Sequence, residues 1–283
     1  MDGSSSPEHP PSVRARRILP PHAFTDWLTV RSYEAGHSGV VRIGTMLRYL
    51  EHLATRASAG LGFDRRWYER NGTAWFVREM SLLLGELPAI DDTLHMGTWV
   101  SDFKRVQALR EYTLLRAETG KFVARGHARW AYVNAATGQP IRIEDSLTER
   151  FRGGGNAMKT RQPTWSSGAS QPVAELRLTA RDYEADVQQH INNCVYADWL
   201  DEGLQHAIAS GVIPVGDGRS LRPRYYHIEY ARSILPGTAI LVRTTLLRAR
   251  SRGLIITQEI VRADDAALVV RAYSEHLLQR EAH

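Results

Sequence analysis

Only one cysteine, Cys194, occurs among the 283 residues, so no intrachain disulfide can form and no cage of cysteine thiolates can hold a metal. Long apolar runs are missing as well. Nothing approaches the ~18 consecutive apolar residues of a membrane span. The opening MDGSSSPEHPPSVRARRILPP is polar and proline-rich where a secretory signal needs an apolar stretch. A cytoplasmic location is therefore expected, with a disordered tail over residues 1–22. No G-x-S-x-G nucleophile elbow is present, since the nearest string, Gly36-His37-Ser38-Gly39, fails its spacing. No Walker or dinucleotide glycine pattern opens a helix after a strand, which leaves nucleotide binding without support. The 11 histidines include no pair at helical metal-ligand spacing around a carboxylate. Neither a metal nor a cofactor is expected.

What is present begins with an apolar fraction of 43%, enough for a substantial core, and a formal charge of +5. The arginines cluster at Arg14/Arg16/Arg17, Arg222/Arg224 and Arg248/Arg250/Arg252, scattered and without interleaved aromatics. That distribution suits a solvated basic face or the docking of an acidic partner, and argues against nucleic acid.

The chain is also written twice. A strand-like run, Phe24 to Tyr33, leads to a helical segment, Thr45 to Gly60, and then to extended stretches over Thr73–Leu84, Thr93–Phe103, Arg110–Glu118 and Phe122–Asn134. The same order recurs: a strand over Val173–Ala180, a helix from about Asn192 to Ser210, and extended runs at Arg224–Ser233, Ala239–Leu247, Gly253–Arg262 and Ala267–Leu278. A shift of about 150 residues lays Tyr49 on Trp199, Leu50 on Leu200, Glu51 on Asp201 and Ala57 on Ala207. Each helix carries an apolar stripe, Met46, Leu47, Leu50, Leu53, Ala54 and Ala57 in the first and Tyr196, Trp199, Leu200, Gly203, Leu204 and Ala207 in the second, and both stripes read as core. Residues 151–172, with GGGN, a proline and SSG, read as a linker between an N-terminal unit, residues 23–150, and a C-terminal unit, residues 173–283. A strand, a long helix and a run of antiparallel strands suit one sheet curling around one buried helix, an α+β arrangement.

Functional side chains concentrate at Asp186-Val187-Gln188-Gln189-His190-Ile191-Asn192-Asn193, between a strand and the second helix. At a helix N-terminus, free backbone N–H groups and the helix dipole favour negative charge. A thioester carbonyl held there would develop its oxyanion against those donors, while His190 or Asp186 orients or deprotonates a water. Asn192 and Asn193 serve equally well as helix caps, and the two roles are compatible. In the first half the matched positions are Gly36 and Val40, so only the second copy carries the acid and the imidazole. Glu51, at the edge of the first apolar stripe, is expected to be an exposed helical glutamate near His52 or Arg48.

The segment Asp186–Glu202, D-V-Q-Q-H-I-N-N-C-V-Y-A-D-W-L-D-E, resembles the D-x-N-x-H-x-N-N-x-x-Y-x-x-W segment of the acyl-acyl-carrier-protein thioesterases of plants and bacteria. The first half adds Asn71-Gly-Thr-Ala-Trp-Phe-Val-Arg and a Pro-x-x-x-Asp turn, so the resemblance runs from about Phe24 to Leu278. It implies a tandem hotdog fold, two antiparallel sheets each wrapped around a long helix. It also implies cofactor-free hydrolysis of fatty acyl thioesters of acyl carrier protein, or of CoA, to free fatty acid, with the acidic carrier as partner. The family's catalytic aspartate, asparagine and histidine map to Asp186, Gln188 and His190.

Two departures stand out. Gln188 replaces the asparagine and reaches one methylene further. Beyond Glu229-Tyr230-Ala231-Arg232, Ser233 stands where the family has a glutamate, and a serine cannot act as a carboxylate base. Either Asp186 and His190 activate water alone, or Glu229 or another carboxylate substitutes, or the substrate differs from a plain fatty acyl chain. Trp75, Phe76 and Met80 read as sheet core, with control of chain length as the alternative. The rival functions are a non-catalytic acyl-carrier binder with a degenerate site and a hotdog enoyl-thioester hydratase. The latter is disfavoured by the four-residue step from Asp186 to His190 and the lack of an intervening proline. Association into a homodimer is left open.

Overall fold

The structure, a computed structural model, describes residues 19–151, 163, 165, 173–216 and 218–280. Most of the expected tail, residues 1–18, and most of the expected linker, residues 152–162, 164 and 166–172, lie outside the described residues. Two halves repeat one plan. The first runs β1 (Phe24–Thr29), a 3-10 turn (Ser32–Glu34), α1 (Ile43–Gly60), α2 (Arg65–Asn71), β2 (Thr73–Leu84), β3 (Thr93–Lys104), β4 (Gln107–Arg116), β5 (Phe122–Asn134) and α3 (Asp145–Arg150). The second runs β6 (Val173–Thr179), a 3-10 turn (Asp182–Glu184), α4 (Asn193–Ala209), β7 (Arg219–Tyr230), β8 (Ala239–Arg250), β9 (Gly253–Arg262) and β10 (Leu268–Arg280).

Each helix lies where its stripe dictates. Met46, Leu47, Leu50 and Leu53 of α1 are at most 1% exposed, and burying a side chain of this kind contributes about 1.5–3 kcal/mol. In α4, Tyr196, Trp199, Leu200 and Ala207 are buried in the same way. Both helices pack on the sheet and against one another.

The tandem hotdog arrangement holds, with one correction to its sheets. They are not two but one ten-stranded antiparallel sheet, in the order β1-β3-β4-β5-β2-β7-β10-β9-β8-β6. The seam is β2 against β7, with Glu79 opposite Glu229, Met80 opposite Ile228 and Ser81 opposite His227. Each half-sheet alone would end in an unpaired strand, and joining the two strands satisfies both rows of backbone groups. The helices α1 and α4 consequently lie side by side on one face, and the N-terminus of each faces the other half. A Cβ at Gly44, in the first turn of α1, would run into the Asp198 carboxylate of α4 and force it to move, so glycine leaves room for this approach.

Candidate active site

The motif folds as a hairpin-like loop ahead of α4. Ala185 bridges to Ile191, Asp186 N–H donates to His190 O at 2.9 Å, and Gln189 N–H donates to Asp186 O at 2.9 Å. Gln189 adopts a left-handed φ of 62° to close the turn. Asp186 Oδ1 accepts from Gln188 N–H at 2.8 Å, so one carboxylate oxygen stiffens the loop. Asn192 takes the capping role: its Oδ1 accepts from Cys194 N–H at 2.9 Å. Behind the loop, Glu184 accepts from Arg181 N–H at 2.7 Å and from Trp199 Nε1–H at 3.2 Å, tying the 3-10 turn to the helix.

A cavity of about 380 Å³ gathers most of the expected residues. Asp186, Gln188, His190, Asn193 and Ser233 line it, beneath Tyr196, Tyr230 and Trp130. Glu51 lines it too. Against expectation, Glu51 is not a solvent-exposed helical glutamate: it is partly buried, and its Oε2 accepts from the Cys194 thiol at 3.2 Å. Burial pushes the Glu51 carboxyl above the ordinary carboxylate range. Asp186 adds to that push by charge, while hydrogen bonds from Cys194 and Asn192 and the charge of Arg48 oppose it. Arg48 is held by the Asp198 carboxylate at 2.6 Å, which keeps it beside the site without closing on Glu51. Glu51 thus reaches from the helix of one half into the loop of the other.

Glu229 is elsewhere, which corrects its expected place in the site. Side chains alternate across a strand: Tyr226, Ile228 and Tyr230 of β7 enter the core, while His227 and Glu229 point to the opposite face. There Glu229 accepts from Arg271 at 2.6 Å and pairs with His227 at 3.1 Å. Cys194 is fully buried, and burial first, and then the charge of Glu51, raise its thiol well above the usual range, which disfavours the thiolate. Among the described residues no group of three His, Cys, Asp or Glu side chains is disposed to hold a metal, and no helix is long and apolar enough to cross a membrane.

Two further cavities meet at Glu51. A cleft of about 870 Å³ opens from Glu51 and Asp186 past Arg42, Arg48 and Arg181. An apolar pocket of about 360 Å³ runs from Glu51, Val187 and Gln188 along α1 to Phe63, Tyr68, Arg110 and Phe151. Trp75 lines this pocket and the motif cavity, whereas Met80 is 2% exposed in the core. A polar entrance, a carboxylate at the turning point and an apolar channel beyond are what an acyl thioester on a polar arm requires.

Residues 21–151 match the family described as acyl-ACP thioesterase N-terminal domain, and residues 180–279 match the thioesterase-like superfamily. The chain is 24% identical over 270 residues to the chloroplastic palmitoyl-acyl carrier protein thioesterase of Arabidopsis thaliana, an alignment covering 89% of this chain and 63% of that protein. Among solved structures it is similar to the 12:0-ACP thioesterase of Umbellularia californica, with a TM-score of 0.74, 20% identity and coverage of 91% of this chain and 94% of that one. It is also similar to an acyl-ACP thioesterase of Bacteroides thetaiotaomicron, with a TM-score of 0.71, 16% identity and coverage of 91% and 98%. The structural likenesses show the tandem hotdog fold, and with the sequence matches along both halves the chain belongs to the acyl-ACP thioesterase family.

Proposed function

We propose that the protein hydrolyses acyl thioesters carried by acyl carrier protein, releasing a free fatty acid as a step of fatty acid biosynthesis. The observation that carries this reading is the convergence of Glu51, from α1, with Asp186, Gln188, His190 and Asn193, from the other half, on one cavity between a polar cleft and an apolar channel. Glu51 deprotonates the attacking water, a task suited to a carboxyl whose affinity for protons burial has raised. His190 and the Asp186 loop orient that water and the thioester, and the start of α4 faces the developing oxyanion. The C–S bond then breaks, and the pantetheine thiolate takes up the proton from Glu51. In this reading Glu51 answers the missing glutamate at position 233: the carboxylate comes from the other half of the chain.

The division into domains, residues 23–150 and 173–283, belongs to the same proposal, with the qualification that the second carries the motif but not the whole site. A carrier protein with an acidic surface fits the formal charge of +5 and the exposed Arg224, Arg248, Arg250 and Arg252. A cytoplasmic location is likewise proposed; the plant relative is named as chloroplastic. The deciding assay follows free thiol as acyl carrier protein thioesters are mixed with the protein. Hydrolysis that survives both Glu51→Gln and His190→Ala at the wild-type rate would overturn the assignment.

A further inference from the structure

The apolar pocket ends on a charge. Arg110 projects from the inner face of β4 into the channel's far wall and is only 7% exposed. Its hydrogen bonding is almost empty. A guanidinium carries five N–H donors, and among the described residues the one acceptor it meets is Thr98 Oγ1, at 3.4 Å, whose own proton goes to Glu111 O. Among the described residues no carboxylate relieves it: of those lining the pocket, Glu69 is paired with Arg65 at 2.7 Å and Glu51 stands at the other end with Cys194. Tyr68 comes near, but its hydroxyl is already set between Ser58 Oγ at 2.9 Å and Trp75 Nε1–H at 3.1 Å. The Ser58 proton goes to Phe63 O, so the Tyr68 proton is committed to Ser58. The Phe151 ring, 5.4 Å from Arg110 Cζ, closes one face of the guanidinium without accepting a hydrogen bond. Burial pulls the Arg110 pKa below the ordinary arginine value, a sign of how poorly the free pocket solvates the charge.

A buried cation with idle donors is costly unless something pairs with it, and the open side of Arg110 is the acyl channel. We propose, building on the thioesterase reading, that the preferred substrate is an acyl group carrying a hydrogen-bond-accepting oxygen at its far end, a hydroxyl or a carboxylate, which Arg110 binds. Ser58, which anchors the Tyr68 network at the Arg110 end, follows Glu51 by seven residues of α1; at ~1.5 Å per residue the two ends are about 10 Å apart. That span is the reach of a medium-length acyl chain. Plain alkyl chains would leave the guanidinium unpaired and now also cut off from water.

The test compares octanoyl, decanoyl and dodecanoyl thioesters of acyl carrier protein with their ω-hydroxy and ω-carboxy counterparts. In parallel, calorimetry measures binding of the non-hydrolysable pantetheine amides of the same acyl groups. The wild-type protein should favour an oxygen-bearing chain over the plain chain of equal length by about tenfold or more in kcat/KM and in binding. Arg110→Met should remove that preference without lowering the melting temperature. Arg110→Lys, which keeps the charge but not the planar fork, should keep part of it. The relative strength of the hydroxyl and carboxylate series tells which terminus is the natural one. If plain chains bind and react at least as well at every length, the inference is wrong. If no thioester is hydrolysed yet the oxygen-bearing amides bind preferentially, the hydrolytic reading fails and the role of Arg110 stands.

Discussion

The loop at residues 36–40 and the loop at residues 186–190 have one backbone and two chemistries. In the first, Gly36 N–H donates to Val40 O and Gly39 N–H to Gly36 O; in the second, Asp186 and His190, and Gln189 and Asp186, make the same two bonds at the same 2.9 Å. The left-handed position is Gly39, with φ 75°, in one and Gln189, with φ 62°, in the other. Even the supports correspond: Tyr49 donates to Glu34 at 2.9 Å where Trp199 donates to Glu184 at 3.2 Å. Helical carboxylates are exchanged between halves, Glu51 to the second loop and Asp201 toward Arg42 and His37 of the first. On the proposed reading the site is a joint product of the two halves, and the chain keeps the loop scaffold twice while only the second loop carries the acid and the imidazole.

That contrast can be broken most directly by removing the equipment. Glu51→Gln and His190→Ala should each lower kcat/KM for acyl carrier protein thioesters by about 100-fold or more, and the Glu51→Gln protein should melt no lower, because the fold disfavours the charged carboxylate. Asp186→Asn acts more finely. It keeps an oxygen to accept from Gln188 N–H, yet removes the charge that helps to raise Glu51, so the acidic limb of the pH–rate profile should move to lower pH. A limb that stayed in place would separate Asp186 from the titration of the base.

The fold of each half was legible to different depths. Thr73–Leu84, Phe122–Asn134 and Gly253–Arg262 were readable to the residue, because their apolar runs stop at glycine, asparagine or charged turns. β7 begins five residues before the expected Arg224, because Pro223, which halts a sequence reading, sits where the register with β10 shifts. The short helix Arg65–Asn71 escaped notice despite its Asp64 cap and Gly72 stop. Glu51 is legible only as a carboxylate at the edge of an apolar stripe; its place in the site is not, since its partner Cys194 is 143 positions away. Glu229 could have been: the alternation of Tyr226, Ile228 and Tyr230 already puts it on the other face of β7.

Acid should treat the halves alike even though chemistry does not. His127 in β5 and His276 in β10 are both lowered to about 4 by burial. A histidine that takes up protons more readily when unfolded withdraws stability as pH falls from about 6.5 toward the folded value. Melting temperature should thus fall over that interval, and His127→Gln and His276→Gln should each flatten part of the slope. The smallest effect is expected at the unequipped end: Asp201→Asn should leave kcat/KM within about twofold, and a larger loss would mean that the first loop also takes part.

The ion pair between Arg48 and Asp198 joins residues 150 positions apart, the same position in the two copies. Around a true dyad such a position meets its own twin, so a symmetric pair of first halves would set guanidinium against guanidinium, and a pair of second halves carboxylate against carboxylate. Only a molecule whose two copies are free to diverge can place opposite signs there. Having done so, it gains an ion pair at the meeting of its two helices that a dimer of identical halves could not make.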